Sequence, residues 1–182
     1  RLYFVVETKS SLFTDDLRDK ESAKIECGKA HFAALGSGEN PAKYLVATSF
    51  GDVLKAVERQ SITTLAAVPP LWVQLAELDW PPETAAKLRR LTNSGGALTP
   101  SLIDAMRATF PNAEITPMYG LTEAFRSTYL EPKLVADHPT SMGRAIPHAE
   151  ILVCRPDGTI TADEEAGELV HCGPLVAKGY WN

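Results

Sequence analysis

Two short stretches hold the residue types from which phosphate chemistry is built. Ser94-Gly95-Gly96-Ala97 follows the run Arg90–Asn93, and Tyr119-Gly120-Leu121-Thr122-Glu123 follows Glu114–Met118. Adjacent glycines let backbone N–H groups approach a ligand closely. The Tyr119 ring offers a surface for a stacked base, and the Thr122 hydroxyl offers a partner for a phosphate oxygen. The Glu123 carboxylate is a hard oxygen ligand for magnesium. Together these groups suit a phosphorylated nucleotide. On spacing alone a plainer alternative stays open: a Gly-Gly turn and a strand-to-loop exit, since short glycine motifs are weak evidence.

Such loops need elements that bring them together. Thr63–Val68 reads as a buried strand, stopped by Pro69-Pro70, which opens a helix over Leu71–Leu78. Arg90–Asn93 is a second strand. Thr99 as N-cap and Pro100 in the first turn start a helix over Ser101–Phe110, and Glu114–Met118 is a third strand. Helical crossovers of this kind produce parallel strands, whose ligands lie beyond the carboxyl ends. Both special loops stand at carboxyl ends, and the intervening helix makes their strands neighbours. Further on, Glu150–Cys154 and Glu168–His171 flank a Pro156-Asp157-Gly158 turn and an acidic loop, a hairpin pattern. Upstream, Leu2–Thr8 reads as a strand, Glu21–Leu35 as a helix with a stripe of Ile25, Gly28, Phe32 and Leu35, and Tyr44–Thr48 as a strand: a β-α-β unit. Val53–Arg59 is a short helix. The expected fold class is α/β, a partial parallel sheet with crossover helices followed by a small β hairpin region.

Composition agrees with a globular chain. Of 182 residues, 45% are hydrophobic and 23% charged, which excludes wholesale disorder and fibrous classes. Eighteen basic and 23 acidic residues leave a net charge of −5, so no general attraction to nucleic acid or anionic lipid follows. No apolar run reaches the ~18 residues of a membrane span. Three cysteines, Cys27, Cys154 and Cys172, are too few for a disulfide scaffold and point to a reducing, cytoplasmic compartment. They are expected to be buried. The chain opens on Arg1 and closes on Asn182, and both ends read as cut from something longer.

Five ordered passages carry a family resemblance: ITTLAAVPPLWVQLA, LTNSGGALTPSLIDAMRATFP, ITPMYGLTEA, SMGRAIPHAEILVCRPDG and GELVHCGPLVAKGYWN. Val53–Asn182 resembles the AMP-forming acyl-CoA synthetases and ligases, the adenylate-forming superfamily. The run GLTEAFRSTYL is similar to the ligases associated with exosortase-type sorting systems. The resemblance implies ATP or AMP, Mg2+ and coenzyme A as cofactors, with a small-molecule carboxylic acid and a nucleotide as partners. It places Gly95, Gly96 and Ala97 on the adenine and ribose side, with Gly120 in the signature loop. Tyr119 would lie against the adenine, Thr122 on the phosphate and Glu123 on magnesium, Thr122 and Glu123 forming the catalytic pair. Gly143 would border the acyl pocket, and Gly167, Glu168, Gly173 and Gly179 would give turns. The family's phosphate loop with its lysine, its ribose-binding Asp and its lid with the catalytic lysine are not found here. The expectation is weak nucleotide binding at most, without turnover.

The passages YFVVETKSSL, LRDKESAKIECGKAHFAAL and YLVATSF carry a different resemblance. Residues 1–52 resemble the C-terminal end of the restriction subunit of type III restriction enzymes. That implies Glu7 as a magnesium ligand and Lys9 beside the attacking water or phosphate, with DNA as partner in that reading alone. Taken without the resemblance, Glu7-Thr8-Lys9 is an ordinary solvated strand. The chain thus reads as a fusion of two incomplete domains, 1–52 and 53–182, joined between Ser49 and Lys55. A non-catalytic fusion stays as a further alternative. His31, His138, His148 and His171 have no metal-ligand spacing, Asp163-Glu164-Glu165 reads as a solvated loop, and Trp72 and Trp80 read as core.

Overall fold

The computed structural model describes residues 15–35, 44–47 and 49–181. The expected strand Leu2–Thr8, with Glu7 and Lys9, lies outside them. Helix α1 (Asp15–Ala34) begins earlier than its apolar stripe suggests. Ile25, Gly28 and Phe32 are its half-buried positions, whereas Leu35 is exposed. The Tyr44 ring covers that stripe, stacking on Phe32 with centroids 5.6 Å apart. It lies where a Gly28 Cβ would come within 2.6 Å of it.

The expected strand at Tyr44–Thr48 does not form over Tyr44–Ala47, and Thr48 lies outside the described residues. Tyr44 is taken up by the α1 stripe, and no described strand lies alongside to complete the backbone ladder. Among the described residues the first fifty therefore add no strand to the sheet below.

Helix α2 (Phe50–Gln60) starts at a capping box. The Ser49 hydroxyl accepts from Asp52 N at 3.2 Å, and the Asp52 carboxylate accepts from Ser49 N at 3.1 Å. Val53 and Val57, four residues apart, are its buried face. There follow β1 (Thr64–Ala67), α3 (Pro69–Ala76), α4 (Pro82–Ala85), β2 (Arg90–Asn93), α5 (Pro100–Thr109) and β3 (Glu114–Tyr119). Helix α3 takes Pro69 and Pro70 into its first turn, where a missing N–H costs nothing, so it starts two residues before the expected Leu71. Thr99 caps α5 by accepting from Leu102 N at 3.2 Å.

Strands β1, β2 and β3 are parallel and consecutive. Their register puts Leu65, Leu91 and Ile115 side by side, and all three are buried. Trp72 and Leu75 of α3 and Ile103 and Met106 of α5 join them in one core. Trp80 belongs there too: its indole N–H donates to Leu75 O at 2.7 Å, and its ring meets Phe110 edge-on at 5.1 Å. Alternate positions of the strands, Thr64, Ala66, Arg90 and Glu114, are exposed, so the helices bury one face of the sheet.

Two short strands escaped the sequence reading. β4 (Thr128–Tyr129) and β5 (Arg144–Ala145) extend the sheet antiparallel beyond β3. A separate antiparallel ribbon pairs β6 (Glu150–Cys154) with β7 (Glu168–Cys172), as the hairpin pattern requires. Glu168 opens β7 rather than making a turn. Cys27 and Cys172 are exposed and Cys154 half-buried, against the expected burial. Cys27 stands on the open side of α1, and Cys172 ends a two-stranded ribbon too small to enclose its own edge. The Asp163-Glu164-Glu165 loop is solvated, and within it Glu165 pairs with Arg155, Arg155 Nε lying 2.6 Å from Glu165 Oε1. No helix among the described residues is long and apolar enough to cross a membrane.

Leu91 is fully buried in the central strand. Leu91→Ala is expected to lower unfolding stability by about 2–5 kcal/mol in urea titration. The Arg155 guanidinium, then the Ala162 N–H, hold the Glu165 carboxyl below its ordinary value. A lowered folded pKa contributes stability above the unfolded carboxylate pKa, near 4.3, and loses it as pH falls through the folded value. Glu165→Gln should therefore unfold earlier than the parent at pH 7, and the two urea midpoints should converge as the pH drops below about 4.

Candidate functional site

Parallel pairing decides where the two loops go. Asn93 of β2 stands in register with Pro117 of β3, so both strands run out over the same edge of the sheet. Past β2 the chain turns through Gly95, whose φ of +80° a side chain would resist. Asn93 closes the turn: its Nδ2 donates to Gly96 O at 2.8 Å. Gly96 lies against Pro69, where a Cβ would come within 3.1 Å of the ring.

Past β3 the backbone folds into a compact loop. Leu121 N donates to Ala124 O at 3.1 Å, and the buried Ser127 hydroxyl donates to the same carbonyl at 3.1 Å. Gly120 is required here, because a Cβ would lie within 2.8 Å of the Arg126 Cα. Arg126 itself takes φ +55°, and its guanidinium donates to the Met118 sulfur at 2.7 Å. A third segment closes the site from above. Thr128 Oγ1 donates to Met142 O at 2.6 Å, and Gly143 turns the chain at φ +78° into β5.

Segments 93–98, 117–123 and 139–142 enclose a cavity of about 570 Å³. That is within the usual range for small-molecule sites, roughly 300–1,000 Å³. Gly95, Gly96, Ala97, Tyr119, Gly120, Thr122 and Glu123 all line it. Gly143 stands one residue beyond the lining segment 139–142. Glu7 and Lys9 lie outside the described residues, so the nuclease pair has no geometry to report.

Tyr119 is half-buried, while Thr122 and Glu123 are exposed at the mouth. The Tyr180 hydroxyl donates to Glu123 Oε1. That bond, followed by the residue's own N–H, holds the Glu123 carboxyl below its ordinary value, and the same contact raises the Tyr180 phenol. Glu123 is thus an anion at neutral pH.

Asn93 is the residue that sequence reasoning missed. It is 2% exposed, and its Oδ1 is buried with no partner while Nδ2 is engaged. A buried amide oxygen without a donor is costly, and this one lies in the cavity wall. Its signal was a polar residue two positions after Leu91, in the inward-facing phase of β2. Pro139, Thr140, Ser141 and Met142 carried no such signal. The donor set fits a nucleotide with its metal: glycine backbone at Gly95 and Gly96, the Tyr119 face, the Thr122 hydroxyl, a spare acceptor for an amine at Asn93 and the hard carboxylate of Glu123. Of the histidines, His171 donates from Nδ1 to Ser127 Oγ at 2.9 Å, the serine's own proton being committed to Ala124 O.

Comparison with known proteins agrees with this geometry. Residues 40–181 match the AMP-binding enzyme family, and the chain belongs to it. Residues 1–50 match a second family, described as an endonuclease domain. The chain is 36% identical over 139 residues to 4-coumarate–CoA ligase 2 of Oryza sativa subsp. japonica, covering 72% of this chain and 24% of the rice protein. The crystal structure of VinN is similar at 38% identity and a TM-score of 0.65, over 71% of this chain and 33% of VinN. O-succinylbenzoate coenzyme A synthetase (MenE) of Bacillus subtilis, in complex with ATP and a magnesium ion, is similar at 29% identity and a TM-score of 0.64, over 74% of this chain and 27% of MenE. The chain spans about a quarter of the length of curated relatives such as the rice ligase.

Gly120→Ala tests whether loop shape makes the site. The added methyl must displace Arg126, so the variant should stay folded by circular dichroism yet lose at least about tenfold in affinity for a nucleotide probe, about 1.4 kcal/mol.

Proposed function

We propose that residues 53–182 are the nucleotide-facing part of an AMP-forming acyl-CoA ligase. The complete reaction joins a carboxylic acid to AMP at the expense of ATP, then passes the acyl group to the thiol of coenzyme A. The observation that carries the reading is the convergence of the Gly95-Gly96 turn and the Tyr119–Glu123 loop on one cavity, with the Asn93 oxygen unpartnered in its wall. In this reading Tyr119 packs on the adenine, and Gly95, Gly96 and Ala97 let the base and ribose lie close to backbone. Gly120 keeps the loop tight, Thr122 donates to a phosphate oxygen and Glu123 holds magnesium. Bound magnesium supplies charge neutralisation at the phosphates. Gly143 and the preceding segment border the acyl side.

This chain alone supplies positioning and one metal ligand. Adenylation rests on aligned reactants and stabilised phosphoryl charge, so turnover by these residues alone is not expected. The domain division is part of the proposal. Ser49 and Asp52 cap α2, whose Val53 and Val57 enter the core, which supports a join at the start of α2. The match of residues 1–50 to an endonuclease domain favours a second reading for that piece, with Glu7 and Lys9 as remnants of a magnesium-dependent nuclease acting on DNA. The intracellular placement of such enzymes fits the three unpaired cysteines.

Calorimetric titration of the chain with magnesium–ATP tests the ligase reading. Saturable binding is expected, about tenfold weaker in Tyr119→Ala with or without magnesium. Glu123→Ala should weaken it by a similar factor only when magnesium is present. A folded sample that gives no heat would leave the loops as architecture and the chain as a non-catalytic fusion.

A further inference from the structure

The strand that leaves the site does not leave it alone. After β7 the chain turns at Gly173, where a Cβ would come within 2.8 Å of His148 O, and doubles back over the Thr122–Glu123 loop. Ala177 N donates to Glu123 O at 2.6 Å, and Val176 bridges Ala124 in antiparallel fashion. Gly179, at φ +136° with open space around it, lets the chain swing once more. That swing delivers the Tyr180 hydroxyl to Glu123 Oε1. On the inner side, His171 ties β7 to Ser127 at the other end of the same loop. The loop is therefore held from three directions by a segment distant in sequence.

We propose that Tyr180 is a positioning residue for Glu123: it fixes one carboxylate oxygen, leaving the other to meet a divalent cation carried by the nucleotide. The inference rests on the reading of Glu123 as the metal-holding group and goes beyond it. An exposed glutamate on a loop samples many rotamers, and only a fraction of them face a given ligand. A phenol hydroxyl anchored by the backbone bridge of the same strap selects one. The opposite arrangement, in which Tyr180 masks Glu123 from metal, is distinguishable because it predicts a gain when the hydroxyl is removed.

The test uses the whole chain, ATP as the probe, and calorimetry in magnesium or in chelator. Tyr180→Phe keeps the ring and removes the hydroxyl. It should weaken magnesium–ATP binding about three- to tenfold, the scale of one ordinary hydrogen bond, and leave metal-free ATP binding unchanged. In a Glu123→Gln background it should have no further effect. The proposal is overturned if Tyr180→Phe leaves magnesium–ATP affinity unchanged or tightens it. It is overturned equally if the loss persists without magnesium or in the Glu123→Gln background, which would mark a merely structural role. Should the parent chain show no magnesium-dependent binding, the assignment of Glu123 itself fails, and the role of Tyr180 falls with it.

Discussion

The parallel register of β1, β2 and β3 is the constraint from which the rest follows. Leu65, Leu91 and Ile115 meet across the three strands and bury against Trp72 and Met106. A slip of one residue in any strand would turn its buried leucine or isoleucine to the exposed face. The same register sets Asn93 beside Pro117, so the two loops leave the sheet at one edge and at one height. Core energetics and site geometry are thus a single fact. Hydrophobic burial fixes the strands, and the strands fix the distance between the glycine turn and the acidic loop.

The loops themselves are held largely by hydrogen bonds to backbone carbonyls and to one small hydroxyl. Ala124 O accepts from Leu121 N and from Ser127 Oγ, while Ser127 Oγ receives His171 Nδ1. Gly120 and Gly143 stand where a side chain would collide with backbone, at Arg126 and at Tyr129 respectively. The Thr122 hydroxyl and the second carboxylate oxygen of Glu123 are not spent on shaping the loop. Asn93 does both tasks at once: its amide nitrogen shapes the turn and its oxygen is left over.

Much of this was legible in the residues. Pro69-Pro70, Thr99-Pro100 and the apolar runs between them marked the crossovers, because each is a local rule acting on a few neighbours. The seven lining residues named from the two loops also stood in plain view, since loop chemistry at strand ends is written in short words. What escaped depended on distant partners. β4 and β5 are two residues each, too short for any periodicity, and exist only because β3 offers an edge. Cys172 alternates with apolar neighbours, yet among the described residues it is exposed at the end of its ribbon. Tyr44 follows a strand-like pattern, yet it is spent on the stripe of α1. Tyr180 and Glu123 are 57 residues apart, and only the turns at Gly173 and Gly179 bring them together.

Charge bears on the proposed metal dependence. Among the described residues, the cavity wall contains one charged side chain, Glu123, and neither lysine nor arginine. Nearby cations are committed elsewhere: Arg126 to the Met118 sulfur and the Phe125 ring, Arg144 to Glu131 and Tyr129. A chain of net charge −5 with an anion at the mouth of its cavity repels a bare polyphosphate. Apolar stacking on Tyr119 and a hydrogen bond to Asn93 Oδ1 would act on the base and leave that repulsion in place. In the proposed reading, a divalent cation shared between Glu123 and the phosphates would reverse its sign. On that proposal, the acidic group that looks hostile to a nucleotide would become its anchor, and only in the company of the metal.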